Sequence, residues 1–329
     1  MKVCIVSKGR SHAKLTYNYL VEGGIDDIEI FVYEDDVLAY EKVCPKANII
    51  VGDYTTLALK RRYIMQRHID LGTKGFFMMD DDINLMQLKL LRPWHTGTKI
   101  GKPVEITTKQ ILQIVEKTAH YYDLALASAT YQSMAALNLD GAIYRQSGRV
   151  NGCYYVNNNK LRELDYNPYW FDAPATVVED QKMTSLLYKN EIPFMSIPHW
   201  YFGLPKHGSQ TGGNVDMYLE EFGGEWPEES ERMNAYNRMV KTFFEEEINE
   251  GLISFPVRSG KMLLQFTTSQ REIVNDFNLK MYEFTNEIVG KKVYYRTTKN
   301  FPDKVELVKP EVYIKPEMKP KSSISLFDI

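Results

Sequence analysis

Four short apolar runs, Val3-Cys4-Ile5-Val6, residues 28–33, residues 49–51 and Phe76-Phe77-Met78-Met79, are separated by three segments with helical spacing, around 15–22, 37–44 and 56–71. A strand followed by a helix and another strand has essentially one favourable solution, a right-handed crossover that lays the strands parallel. The alternation therefore predicts an open, mostly parallel α/β sheet flanked by helices. Such sheets gather ligands outside the carboxyl ends of their strands, and the fourth run ends in Asp80-Asp81-Asp82. Adjacent carboxylates repel one another unless a cation or a ring of donors neutralises them. Asp80 and Asp82 are accordingly expected to hold Mg²⁺ or Mn²⁺, directly or through water, with Asp81 pointing away or contacting a sugar. The competing reading is a solvated turn capping a helix at Ile83, but capping does not require three carboxylates after four large apolar residues.

Beyond the triplet, residues 107–121 read as an amphipathic helix with a Thr-Thr cap, and 124–130, 142–145 and 153–156 read as strands. Residues 184–190 read as part of a helix following Glu179-Asp180. From Pro193 to Gly213 three prolines, two histidines, aromatics and a Gly-Gly pair predict a structured loop. Helices are expected over 228–251 and 269–289, around a strand-like 261–267. From Lys291 onward nine Lys/Arg face five Asp/Glu, with Lys-Pro pairs at 309, 315 and 319. That composition predicts an extended tail. The expected organisation is a catalytic domain over 1–225, a helical extension over 226–290 and a basic tail over 291–329.

Composition narrows the classes. The net charge of −3 gives no global attraction to nucleic acid, so polyanion binding requires local basic patches. Cys4, Cys44 and Cys153 have no metal-ligand spacing, are expected to be reduced thiols, and two of them look like buried packing residues. No apolar run approaches a membrane span of about 18 residues, and the chain enters its first strand without a signal-peptide core, so a cytoplasmic location is expected.

Several further residues can carry chemistry. His207, in Lys206-His207-Gly208-Ser209, can reach back as another metal ligand; the alternative is an exposed loop residue. His199, beside Trp200 and Tyr201, is better suited to packing. Glu179-Asp180 places carboxylates at a helix N-terminus, where the dipole favours the ionised form, as a general base requires; the alternative is a simple cap. Ser7-Lys8-Gly9-Arg10-Ser11 follows the first strand and can bind a diphosphate or a uracil edge through backbone N–H groups, Lys8 and Arg10. Lys60-Arg61-Arg62 lies on the helix before the acidic strand and offers a phosphate contact, or else a solvated face.

This order of features, from Ser-Lys-Gly-Arg-Ser through a second strand ending near Glu34, a basic helix, the Asp-Asp-Asp strand, Glu-Asp before a helix and a loop histidine, resembles the metal-dependent glycosyltransferases of the A-type fold. Within them it is most similar to the glycosyltransferases associated with the TET and J-binding-protein oxygenases of phages and kinetoplastids, over roughly residues 1–215. The resemblance implies a UDP-sugar donor and, as acceptor, a hydroxymethylated pyrimidine (hydroxymethylcytosine or hydroxymethyluracil) in DNA. It also implies Asp80 on the donor ribose or a metal-bound water, Asp82 on the metal, and His207 on the metal or diphosphate. Asp180, with Glu179 beside it, would activate the acceptor hydroxyl, and Ser7, Arg10 and Glu34 would line the nucleotide pocket. Arg61-Arg62-Tyr63 stands where related enzymes tend to carry an Arg-Asn pair.

A flipped-out base would stack on aromatics such as Tyr154, Tyr155, Trp170 or Trp200, unless these are core. The terminal Ser323-Ile324-Ser325-Leu326-Phe327-Asp328-Ile329, behind its Pro/Lys-rich tether, looks like a sliding-clamp docking peptide. Other classes consistent with the residues are a glycosyltransferase acting on a saccharide or protein hydroxyl, a metal-dependent nucleotidyltransferase or phosphohydrolase, and a non-catalytic DNA- or clamp-binding protein.

Overall fold

The computed structural model describes residues 1–12, 14–90, 102–103, 106–131, 143–145, 150, 152–165, 179–205, 228, 230–231, 234, 237, 241–242, 244–251, 253–254, 257–258, 261–262, 265–266, 272–274 and 277–290. His207, Trp170, the tail over 291–329 with its clamp-like peptide, and most of 206–243 lie outside the described residues.

The amino-terminal half follows the expected alternation: β1 (Lys2–Val6), α1 (Leu15–Glu22), β2 (Asp27–Val32), α2 (Val37–Val43), β3 (Ala47–Val51), α3 (Leu57–Asp70) and β4 (Phe76–Asp80). There follow β5 (Leu85–Leu90), β6 (Lys102–Pro103), α4 (Thr108–Tyr121), β7 (Leu126–Tyr131), β8 (Ile143–Arg145), β9 (Cys153–Val156), α5 (Asn158–Glu163), α6 (Glu179–Lys189) and β10 (Phe194–Gly203). The main sheet has the order β3-β2-β1-β4-β9-β7-β10-β5-β6. Its strands run in one direction except β9 and β5, which pair antiparallel with both neighbours. The chain winds outward from β1 to β3 and then returns to the other side of β1 as β4. The switch point, where a crevice opens at the strands' carboxyl ends, therefore lies between Val6 and Asp80.

Alternation along each strand divides the core into two layers. Val3, Ile5, Ile28, Ile30, Phe77 and Met79 pack under α1, α2 and α4. Cys4, Val6, Phe31, Phe76 and Met78 pack under α3, α5 and α6. Burial of such large side chains contributes roughly 1.5–3 kcal/mol each, and it fixes the strand register, because a one-residue slip would exchange the two faces. Thr107 closes a capping box with Gln110 at the start of α4, the expected cap. All three cysteines are buried and unpaired, where packing was expected for two.

Two sequence expectations are corrected. Residues 194–203 are not loop but the strand β10, paired parallel with β7 and antiparallel with β5. Its register shifts between Ile197 and Tyr201, around Pro198, and this irregularity lets a proline without an N–H sit inside a sheet. The region 269–289 is not one helix: β15 (Glu272–Val274) pairs with β8, and only Phe277–Val289 is helical. The competing reading of a helix capped at Ile83 fails as well: a turn leads from Asp82 into β5, an element with no clear sequence signal. Farther on, Glu245–Asn249 forms α7, followed by two small antiparallel pairs, β11 (Ile253–Ser254) with β14 (Gln265–Phe266) and β12 (Val257–Arg258) with β13 (Lys261–Met262), of which β13 and β14 fall in the strand-like segment expected over 261–267. The final helix, α8 (Phe277–Val289), packs into the same layer as α4, with Phe277 stacked on Tyr122 at 5.4 Å.

Candidate active site

At the switch point the acidic triplet meets the turn after β1. Asp81 is turned inward and buried, rather than away from the protein. Ser7 Oγ donates to its Oδ2, and Arg10 Nη1 donates to its Oδ1 at 2.9 Å. The same Arg10 nitrogen reaches Asp82 Oδ2 at 2.8 Å, so one guanidinium bridges two carboxylates. Behind Ser7 stands Tyr40, whose hydroxyl contacts Ser7 Oγ and accepts from the Arg10 backbone N–H at 3.1 Å. With the single Ser7 proton committed to Asp81, the Tyr40 proton must go to Ser7, and the row of donors points at the buried carboxylate.

Asp80 is held from the other side. Arg61, fully buried on α3, donates from Nη2 to Asp80 Oδ1 at 2.5 Å, and its Nε lies 3.6 Å from Glu179 Oε1. The guanidinium also stands over the Tyr154 ring, 5.9 Å from its centroid. Arg61 thus ties the carboxyl end of β4 to the first turn of α6, joining the triplet to Glu179-Asp180 across 97 residues of sequence, with Asp180 the more exposed of the pair. Gly152, whose carbonyl accepts from Asp80 N at 2.7 Å, approaches so closely that a Cβ there would lie 1.8 Å from Asp80 Oδ2. Thr16 fixes the turn by donating to the Asp80 carbonyl at 2.6 Å and accepting from Ile83 N at 2.8 Å.

The electrostatics follow from crowding and burial. Burial, then Asp80 and Asp81, push Asp82 up to about 7 against the pull of Arg10. Burial, then Asp180, push Glu179 up to about 8 against Arg61. Asp81 is raised by burial and drawn back by Arg10 and Ser7. Lys60 is buried rather than solvated: its Nζ donates to the Ser7 carbonyl at 2.5 Å and the Phe31 carbonyl at 3.3 Å, and lies 3.8 Å from the Tyr33 ring centroid. Desolvation holds it down to about 7. The solvated-face reading thus fails for Lys60 and Arg61; Arg62, the next residue, is half-buried.

Of the remaining candidates, Lys8 and Glu34 are exposed near the same edge, Lys8 Nζ lying 5.7 Å from the Tyr33 ring centroid. Gly9, at φ 64°, turns the chain so that its N–H donates to Asp36 Oδ2 at 3.0 Å. Tyr154, Tyr155 and Trp200 are buried and do not offer a face to a flipped base. His199 is buried with its ring 5.4 Å from that of Phe277, the packing role expected for it. Tyr40, Thr16 and Gly152 escaped sequence reasoning, since a lone tyrosine, threonine or glycine carries no motif until the fold brings it to the edge.

Fold and site together define an α/β protein with a crowded anionic cluster, counter-charged by two arginines, at the switch point of its sheet. The chain belongs to the TET-Associated Glycosyltransferase family, whose model matches residues 1–183, and it is a glycosyltransferase. No curated protein sequence matches it. Among solved structures, it is similar to a putative nucleotide-diphospho-sugar transferase from Desulfovibrio desulfuricans G20, at 12% identity and TM-score 0.36, covering 75% of this chain and 98% of that one. It is also similar to GalNAc-T7 with UDP, GalNAc and Mn²⁺, at 9% identity and TM-score 0.37, covering 75% of this chain and 54% of that one. Among the described residues no helix is long and apolar enough to cross a membrane.

Proposed function

We propose that this glycosyltransferase moves a sugar from a UDP-sugar to the hydroxymethyl group of a hydroxymethylated pyrimidine in DNA, in a reaction dependent on Mn²⁺ or Mg²⁺. The observation that carries the reading is the Arg61 bridge, which sets the acidic start of α6 against the acidic end of β4. A donor held at one and a hydroxyl deprotonated at the other would meet in the same crevice. The DNA acceptor is supported by the family's description as TET-associated together with the resemblance given above.

The residues fit a hard divalent cation. Carboxylate oxygens are the ligands such ions prefer, and burial, then the neighbouring Asp80 and Asp81, hold Asp82 up to about 7 against Arg10, a cost that a bound cation would offset. Asp80 and Asp82 would hold the ion, joined by His207. The last residue of β10, Gly203, accepts from Asn84 N at 3.1 Å, so the chain leading to residue 207 sets out beside the triplet. When bound, the ion supplies positive charge against the departing diphosphate. Ser7, Lys8, Arg10, Glu34 and Arg62 surround the nucleotide, while Arg61 keeps Asp80 and Glu179 in place. Asp180 takes the proton as the acceptor oxygen bonds to the anomeric carbon and the bond to the diphosphate oxygen breaks, releasing UDP. Glu179, buried behind it and held up to about 8, is mostly protonated near pH 7, which leaves Asp180 as the carboxylate that accepts that proton.

The test is incubation with UDP-glucose or other UDP-sugars, Mn²⁺, and DNA containing or lacking hydroxymethylated pyrimidines, followed by nucleoside mass analysis. The expected product is a glycosylated hydroxymethyl nucleoside, absent without Mn²⁺ or Mg²⁺ and absent from unmodified DNA. UDP release with saccharide acceptors alone would replace DNA as the acceptor, and transfer undiminished by a chelator would remove the metal.

A further inference from the structure

A second polar cluster lies within the sheet layer, three residues back along β1 from Ser7. Cys4 on β1 and Glu29 on β2 are cross-strand partners that project to the α3 side, where His68 meets them. Cys4 Sγ is 3.1 Å from His68 Nε2, and His68 Nε2 is 3.2 Å from Glu29 Oε2. The three ligand atoms all lie within 4.8 Å of one another, and all three residues are buried. Tetrahedral zinc, with ligand distances of about 2.0–2.3 Å, separates its ligand atoms by roughly 3.2–3.7 Å, which the Cys4–His68 and His68–Glu29 separations approach.

Two further observations aim these atoms at a shared point. Lys2 Nζ binds Glu29 Oε1 at 2.7 Å, while buried Oε2, though close to the imidazole, accepts no hydrogen bond. The far ring nitrogen, His68 Nδ1, is 3.2 Å from Thr73 Oγ1, the kind of outer contact that sets the ring orientation of a ligating histidine. Phe76 and Phe31 flank the ring at 4.6 and 6.4 Å between centroids. We infer that Cys4, Glu29 and His68 form a structural zinc site, distinct from the carboxylate site at the sheet edge. Thiolate, imidazole and carboxylate suit zinc better than Mg²⁺ or Mn²⁺. A buried cluster takes up its metal as the chain folds; with three protein ligands the fourth position would fall to water, and zinc would pin β1, β2 and α3 together beneath the active-site edge.

The test is metal analysis of the full chain purified in the presence of EDTA, which strips weakly held Mn²⁺, together with absorption spectra of protein produced in cobalt-supplemented medium. One equivalent of zinc is expected, with a thiolate-to-cobalt charge-transfer band in the cobalt form. The near-isosteric Cys4→Ser and Glu29→Gln should each lower retained metal at least tenfold, and Cys4→Ser should abolish the band, whereas Asp82→Asn leaves both intact. Folded wild-type protein with no stoichiometric zinc and no band overturns the site, as does a Cys4→Ser variant with unchanged metal and spectrum. Should Cys4→Ser fail to fold, the band in the wild-type protein decides alone.

Discussion

Arg61 carries more of the site than any carboxylate. It is fully buried, it contacts Asp80 and Glu179, and these acids come from elements distant in sequence. Above about pH 8, where Glu179 is ionised, replacing Arg61 by methionine leaves two poorly solvated carboxylates facing each other. The expected cost is about 3–5 kcal/mol, the usual penalty for breaking a buried pair from one side, seen as a lowered urea midpoint. Adding Glu179→Gln to Arg61→Met should recover part of that loss, because one of the stranded charges is gone; a double variant no more stable than the single would refute the coupling. Asp180 behaves differently. Asp180→Asn should lower kcat by roughly 10²–10⁴-fold with little change in UDP-sugar affinity and in folding, and unchanged turnover would take the proton-accepting role from it.

Elements decide how accurately those side chains are held. The loop leading into β9 passes so near Asp80 that only glycine fits at 152. Gly152→Ala should therefore displace the Asp80 carboxylate, costing about 1–3 kcal/mol of stability together with a marked loss of turnover. Thr107→Ala, at the exposed cap of α4 far along the chain from the triplet, is the contrasting case: about 1 kcal/mol of stability lost and kcat unchanged. If both variants lost activity in proportion to stability, Gly152 would have no special relation to Asp80. β10 shows why regular structure was hard to read here. Pro193, Pro198 and Pro205 punctuate the sequence as they would a loop, yet Phe194, Ile197, Trp200 and Phe202 are buried and the register shift absorbs the central proline. Burial outweighed local punctuation, and the strand thus formed ends beside the triplet.

For the whole molecule the perturbed groups combine into a pH signature. Asp82 and Glu179 have folded values raised to about 7 and about 8, so between their unfolded values near 4 and these the folded state binds more protons than the unfolded, and stability falls as pH rises. Lys60, held down to about 7, binds fewer protons folded than unfolded above that pH, so its contribution rises toward its unfolded value of about 10.4. Metal-free protein should therefore show a minimum of thermal stability between about pH 7 and pH 8. Mn²⁺ should raise Tm more at pH 8 than at pH 5, since it competes with protons for the same carboxylates. A flat profile in EDTA, or equal Mn²⁺ shifts at both pH values, would disprove the account.

The alternation of runs up to Met79 was enough for the class of fold, because strand and helix periods differ and crossovers have one hand. It also placed the acidic triplet at a strand's carboxyl end, since Asp80 follows four apolar residues with no turn between. What no local pattern could show was which charges would neutralise the triplet. Arg10 and Arg61 stand 70 and 19 residues before Asp80 in the sequence, and Glu179 lies 99 beyond it; only the return of β4 beside β1 and the packing of α3 and α6 on one face bring them within reach. Whether Lys60 and Arg61 meet a phosphate or form a solvated face stayed open in the sequence for the same reason: burial of a charge depends on partners supplied by other elements, and that is decided only when the layers close.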